Sequence, residues 1–343
     1  MRIFKRFLLY IAAVLLVVVT LSLLILIPWM NAPVDYHDQA LRRQLAGHLD
    51  TLVIGQSYTM DSIIPGILDR KLGTSTYNLS GSLMPIYAQQ FMAEKETARN
   101  PIRYVLLEVT PDTFTNDETE NYGNGDSYII ARLDSFGERF RYLREHVQLQ
   151  DWPNAYARLM LLSLRSAVNG ILGHPNSIVN EDRGFNPQRA KDVSLDPEIA
   201  PLVYLSSHIF GTERESNIRE FESLIETCQK MGCEVILIYT TVSHAKVWQI
   251  YDQDEFRLWT QDLASKYNVP VFDFNLLRDR YSLFSDEYSF SDENHLSAEG
   301  AKVLSEAIAD VLYRYRSGED VSNLFFNTYW EAIQHSVYMQ EEN

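Results

Sequence analysis

The 343-residue sequence has only two cysteines, Cys228 and Cys233. That is too few for a disulfide scaffold or a cysteine-rich zinc module. Basic residues are also scarce: 30 Lys and Arg stand against 46 Asp and Glu, a net charge of −16. Without a basic stripe to neutralise phosphates, a nucleic-acid binder is excluded. There is no internal repeat and no low-complexity tract, so no repeat architecture is expected. What remains is ample for a core. With 46% hydrophobic and 12% aromatic residues, wholesale disorder is excluded as well.

One stretch lacks charge altogether. Phe7–Met30 runs 24 residues without a charge, broken only by Thr20, Ser22 and Pro28. At about 1.5 Å per residue it spans a ~30 Å hydrocarbon core with some tilt. Arg2, Lys5 and Arg6 precede it, and the positive-inside rule keeps that end in the cytoplasm. Tyr10 and Trp29 sit near the two ends, where interfacial aromatics are common. A cleaved signal peptide would have a shorter apolar region, about 7–15 residues, and an Ala-x-Ala-like site. Asn31-Ala32-Pro33-Val34 is a poor site of that kind. The expectation is an uncleaved single-pass anchor over residues 7–30, with residues 1–6 cytoplasmic and the rest extracytoplasmic. Without its three N-terminal cations the exported part carries −19. That repels it from anionic lipid and suits a solvated domain held near the membrane by its anchor alone.

Short apolar runs read as buried strands at Thr51–Ile54, Thr76–Leu79, Tyr104–Val109, Glu234–Thr240 and Val269–Phe272. Helical patterns alternate with them at Ile63–Leu72, Pro85–Ala98, Asn217–Met231, Glu255–Tyr267 and Ala298–Tyr315. In the last, Ala301, Leu304, Ile308 and Leu312 share one face. This alternation indicates an α/β fold, a parallel sheet covered on both sides. Such sheets bind ligands at the carboxyl ends of their strands. Residues 112 to about 210 break the rhythm. They read as a mostly helical insertion with helices at Tyr128–Glu145 and Trp152–Leu172, loosening between His174 and Pro201. Leu159, Met160, Leu161, Leu162, Leu164 and Val168 make the second helix apolar around much of its circumference, as core or as a contact for a membrane partner. The exported domain is expected over residues 31–317. The tail, residues 318–343, carries Phe325, Phe326, Tyr329, Trp330 and Ile333 and reads as a docking helix. Cys228 and Cys233 either pair in an oxidising compartment or are two small buried apolar residues.

Two segments can carry chemistry. Gly55-Gln56-Ser57 directly follows the first strand, where a sharp strand-to-helix turn exposes a hydroxyl at a helix N-terminus. Backbone N–H groups and the helix dipole there can stabilise an oxyanion. The same pattern also serves as a plain turn with an N-cap. The second segment, Ser291-Asp292-Glu293-Asn294-His295-Leu296-Ser297, precedes the last helix. Asp-x-x-His spacing lets one turn present both side chains, so that Asp292 orients His295 and His295 takes a proton from Ser57. Otherwise His295 is a surface histidine and Ser297 the helix N-cap. Together, at opposite ends of one α/β pattern, the two segments favour catalysis.

Gly55-Gln56-Ser57, Asn78-Leu79-Ser80-Gly81 after the second strand, and Asp292-x-x-His295-Leu296 resemble the motifs of the SGNH (GDSL-type) hydrolase superfamily. The resemblance spans roughly residues 48–315 outside the insertion. It implies a flavodoxin-like three-layer α/β sandwich with Ser57 as nucleophile, His295 as base and Asp292 as its orienting acid. It also implies an oxyanion hole from the N–H groups of Ser57 and Gly81. Gln56 departs from the usual aspartate. The third block, Gly-x-Asn-Asp, is absent: Glu108-Val109-Thr110-Pro111-Asp112 stands there, with Asn78 and Thr110 as substitute donors. The single membrane helix and degenerate third block make the layout similar to the cell-envelope branch of the D-alanyl-lipoteichoic acid protein DltD and the alginate O-acetylation proteins. Those work beside a membrane-bound O-acyltransferase (MBOAT). This implies an O-acyltransferase or esterase that passes an acyl group from a donor to an envelope polymer or glycan. The competing expectation is an inactive scaffold or glycan-binding partner of such a transferase. His244, after the fourth strand, reads as a substrate contact. Asp286, Glu287, Asp292 and Glu293 lack the order of a calcium loop, so neither metal nor cofactor is expected. Asn78-Leu79-Ser80 fits a glycosylation pattern but belongs to a buried strand end.

Overall fold

In a computed structural model the described residues are 2–31, 41–115, 125–155, 157, 161, 183–209, 211 and 214–336. The apolar runs form parallel strands β1 (Thr51–Ile54), β2 (Thr76–Asn78), β3 (Tyr104–Glu108), β4 (Glu234–Tyr239) and β5 (Val271–Asp273). They make one five-stranded sheet in the order β2-β1-β3-β4-β5. That is the doubly wound, flavodoxin-like order. Leu52 pairs with Tyr77 on one side and Val105 on the other, and Leu106 with Ile236. Leu52, Val53, Ile54, Leu107, Ile236, Leu237 and Ile238 are all fully buried. Both sheet faces are covered, which is why these strands show apolar runs and no alternation.

The connection from β1 to β2 runs one way along the sheet and the later ones run the other way. Right-handed crossovers therefore put the helices on opposite faces. Pro65–Leu72 packs beside Ala298–Arg316, and Ile86–Thr97 beside Glu215–Lys230. Gln253–Tyr267 leads into β5 and ends at Asn268, which adopts the left-handed conformation (φ 51°). Outside the insertion, strand and helix ends differ from the sequence expectation by a residue or two. The single helix expected over Tyr128–Glu145 is instead two, Gly125–Arg132 and Phe136–His146, the second starting at the Ser135 N-cap. Tyr329–Gln334 forms a short helix with Tyr329 and Ile333 buried and Trp330 exposed. Cys228 and Cys233 are both buried and free, and burial pushes the Cys228 thiol up to about 12.

The chain divides into two compact units, residues 1–40 with 122–176, and residues 41–121 with 177–343. In the first, a helix covers Arg2–Asn31, and Phe4–Leu21 is long and apolar enough to cross a membrane. The same unit holds Gly125–Arg132 and Phe136–His146, where the Tyr142 hydroxyl donates to Asp126 at 2.5 Å. The expected helix Trp152–Leu172 lies mostly outside the described residues. After its helices the insertion loosens into irregular chain, as the sequence indicates. Pro111–Thr115 and the described residues 183–209 belong with the sheet, and residues 183–199 run as irregular chain bonded along the core. Their backbone links go to Asn78, Met60, Phe290, Asp286 and Ala298, so hydrogen bonding to distant strands and loops replaces helix formation there. Gly184 (φ 95°) starts this return segment, and a Cβ there would lie 1.9 Å from the Asn78 carbonyl oxygen. Only glycine fits.

Candidate active site

Ser57 opens the short helix Ser57–Met60, three residues beyond the fully buried end of β1. Gly55 makes the turn possible because the chain passes directly over β3. A Cβ on Gly55 would lie 2.4 Å from the Glu108 Cβ. The Ser57 hydroxyl emerges at the carboxyl end of the sheet, with Oγ 2.7 Å from His295 Nε2.

His295 sits in a loop pinned by its apolar neighbours. Phe290 and Leu296 are fully buried and bridge each other, and Ser291 donates its N–H to the His295 carbonyl at 2.8 Å. Asp292 folds back over this turn. Its Oδ1 accepts the N–H groups of Asn294 (2.9 Å) and His295 (3.0 Å). His295 Nδ1 lies 2.8 Å from Asp292 Oδ1 and 3.0 Å from Oδ2. A carboxylate against Nδ1 fixes the proton there and leaves Nε2 to accept from Ser57. Burial alone would raise the Asp292 carboxyl, but the Asn294 and His295 donors outweigh it and hold it below the usual range. Ser297 is the N-cap of Ala298–Arg316, accepting from Gly300 at 3.2 Å, so the plain reading of that serine coexists with the Ser57–His295 contact. The arrangement can remove a proton from a hydroxyl and return it to a leaving group.

The proposed oxyanion donors divide. The Ser57 N–H has no acceptor among the described residues. Gly81 already donates its N–H to the Gly55 carbonyl at 3.2 Å. Asn78 is fully buried and its amide donates to the carbonyls of Thr59 (2.8 Å) and Ile63 (3.0 Å). It fastens the end of the serine's helix to β2 and has no hydrogen left for an oxyanion. Thr110 is fully buried with its hydroxyl against Thr113, and makes no open substrate contact. His244 faces no substrate either. It is 3% exposed, its ring lies 4.6 Å from that of Tyr281, and burial pushes its pKa down to about 2. The helix His244–Gln249 turns that ring into the core, while Asp286 accepts the N–H groups of His244 and Ala245.

Other residues enter the site that the motifs did not mark. Tyr58 places its ring 5.2 Å from the His295 ring and donates its hydroxyl to Asp112 at 2.7 Å. Asp61 is buried below and accepts from Asn186 of the return segment at 2.8 Å. Burial raises its carboxyl, and Asn186 and His295 offset part of the rise. Glu108, at the end of β3, is buried directly behind the serine's turn. Only the unusual acids in Glu108-Val109-Thr110-Pro111-Asp112 signalled this. A separate cavity of about 800 Å³ lies along β5, lined by Tyr239, Phe256, Asp273, Tyr315, Phe325 and Phe326 among others. None of Ser57, Asp292 and His295 lines it.

No family model matches the chain, and no curated protein matches it. Among solved structures it is similar to a protein from Desulfitobacterium hafniense DCB-2 assigned to the G-D-S-L lipolytic family. Identity is 14%, the TM-score 0.35, and the match covers 77% of this chain and 99% of the other.

Proposed function

We propose that this chain is a membrane-anchored serine acyl-enzyme of SGNH type, acting outside the cytoplasm as an O-acyltransferase or esterase on an envelope polymer or glycan. The observation that carries the reading is the hydrogen-bonded series Ser57–His295–Asp292 at 2.7 and 2.8 Å. Ser57 Oγ attacks an acyl carbonyl while His295 Nε2 takes its proton. The oxyanion forms beside the Ser57 N–H, which has no acceptor among the described residues. His295 then protonates the leaving oxygen, and the acyl group stays on Ser57. Water or an acceptor hydroxyl reverses these steps. The apolar helix supports a placement beside the membrane, where a membrane-bound O-acyltransferase (MBOAT) is the proposed partner and source of acyl groups.

A fluorophosphonate probe on the full-length protein in detergent tests the reading. Labelling mapped to Ser57 and abolished in Ser57→Ala is expected; labelling that survives the substitution would sink the assignment. The commitment of the Gly81 N–H and the Asn78 amide elsewhere favours a second reading, an inactive scaffold in the same fold. A folded wild type that never reacts with the probe supports that reading instead.

A further inference from the structure

Where the third block of the superfamily would supply an asparagine, this chain has a strand ending in Glu108. That carboxyl is 1% exposed, and a single oxygen of it does all its bonding. Oε2 accepts the N–H of Gln56 at 2.9 Å, the N–H of Thr59 at 3.0 Å and the Thr59 hydroxyl at 2.7 Å. These donors flank Ser57 on both sides in sequence. Oε1 is buried with no partner among the described residues. Gly55 lets the turn come this close, since any Cβ there would strike the Glu108 side chain.

We infer that Glu108 is a positioning residue for Ser57: it clamps the turn on either side of the serine and so fixes the Ser57 N–H and Oγ relative to His295. The inference rests on the serine acyl-enzyme reading and adds to it what replaces the missing block. The physical case is one of acceptors. The first N–H groups of a helix need partners, and the side chain of the N-cap residue Gln56 accepts none of them. Glu108 supplies the acceptor from a neighbouring strand. Its fully buried place in the sheet gives that acceptor a rigid mount, whereas Gln56 side-chain capping would move with the loop. Burial raises the Glu108 carboxyl, the Thr59 and Gln56 donors lower it, and the nearby Asp112 charge raises it again. Only an oxygen at the Oε2 position is needed for the clamp, so an amide serves as well as an acid. A displacement of about 1 Å at a reacting group can cost about 10²-fold in rate.

Glu108→Gln keeps the accepting oxygen and puts its amide nitrogen where Oε1 now has no partner. Glu108→Ala removes the acceptor. With the full-length protein, the second-order rate of fluorophosphonate labelling should stay within about threefold of wild type in Glu108→Gln and fall about 100-fold in Glu108→Ala. The pH midpoint of labelling should move in Glu108→Ala and not in Glu108→Gln, because the Ser57–His295 contact loosens only in the former. Thr59→Val, which withdraws one donor and leaves the acid buried, should fall between them and guards against a Glu108→Ala that does not fold. Wild-type rates in Glu108→Ala would overturn the inference. So would a Glu108→Gln as slow as Glu108→Ala, since the charge and not the acceptor would then matter. Hydrogen exchange separates this from failure of the acyl-enzyme reading. The Gln56 and Thr59 amides should exchange about tenfold or more faster in Glu108→Ala and at wild-type rates in Glu108→Gln, even if the wild type never labels. Equal exchange in all three proteins would overturn the clamp on its own.

Discussion

Tyr58 lies ring to ring with His295, centroids 5.2 Å apart and planes inclined by 33°, and its hydroxyl is held by Asp112. The residue after the candidate nucleophile thus forms one wall of the imidazole's niche. The wall is tied to the short helix Pro111–Thr115 that follows β3.

Tyr58→Phe and Asp112→Asn should report on this wall. Tyr58→Phe keeps the ring and loses its tether, so labelling at Ser57 should slow by roughly three- to tenfold. The stability cost should be about 1 kcal/mol, one hydrogen bond to a charged group less the resolvation of a half-buried Asp112. Asp112→Asn still accepts from the hydroxyl and should be milder. Thermal melts beside labelling rates check both.

Ser57, His295 and Asp292 should act as a unit. Ser57→Ala or His295→Ala alone should remove several orders of magnitude of esterase rate, and the double variant should lose little more. Losses that multiply would mean that His295 acts elsewhere.

His244 should matter to acid stability and not to reactivity. Its folded pKa lies near 2, below the unfolded value of about 6.5. The unfolded chain therefore binds the extra proton, and stability falls as pH drops below about 6.5. His244→Phe should label at nearly the wild-type rate. Between pH 6.5 and pH 5 it should lose about 2 kcal/mol less stability than wild type in urea unfolding. A strong loss of labelling would restore His244 to the site.

Asp273 has the opposite sign. Burial raises its carboxyl to about 6, against the pull of Tyr329 and Asn275. Between about pH 4 and pH 6 the folded state holds the proton more tightly, so stability falls as pH rises through that window and is level above it. Asp273→Asn still accepts from Tyr329 and should flatten this fall. The difference from wild type should grow by no more than about 3 kcal/mol from pH 4 to pH 7.

The N-terminal helix should govern place and not chemistry. Residues 32–343, exported behind a cleavable signal, should react with a small activated ester as the full chain does and yet fail to modify the envelope. Full restoration by the soluble form would point to a free esterase.

The sheet was legible because a strand buried on both faces has to be apolar throughout, as Leu52-Val53-Ile54 and Ile236-Leu237-Ile238 are. Ser57 and His295 were legible because a small-residue elbow and an Asp-x-x-His turn are local arrangements. Burial of His244 was not, since position at the carboxyl end of β4 says nothing of which way a helix rotates its first residue. Nor were the commitments of Asn78 and Gly81 legible. Their hydrogens go to carbonyls 15 to 26 residues away, and such partners exist only once the turns are folded. A buried glutamate at a strand end reads as an anomaly until the turn it clamps lies beside it. The loosening between His174 and Pro201 was legible, but the path of the return segment was not, because its bonds run to distant chain, which periodicity cannot register.

That return segment also bears on the order of assembly. Ser57 and His295 are 238 residues apart, and the chain near 183–193 is bonded to Asn78 and Met60 on one side and to Asp286 and Phe290 on the other. These contacts close very long loops and collect their enthalpy only after the sheet exists to receive them. On refolding from urea, far-UV ellipticity should therefore recover before probe reactivity does. A newly made chain would spend that interval with its sheet formed and its serine inert, a built-in delay between folding and competence.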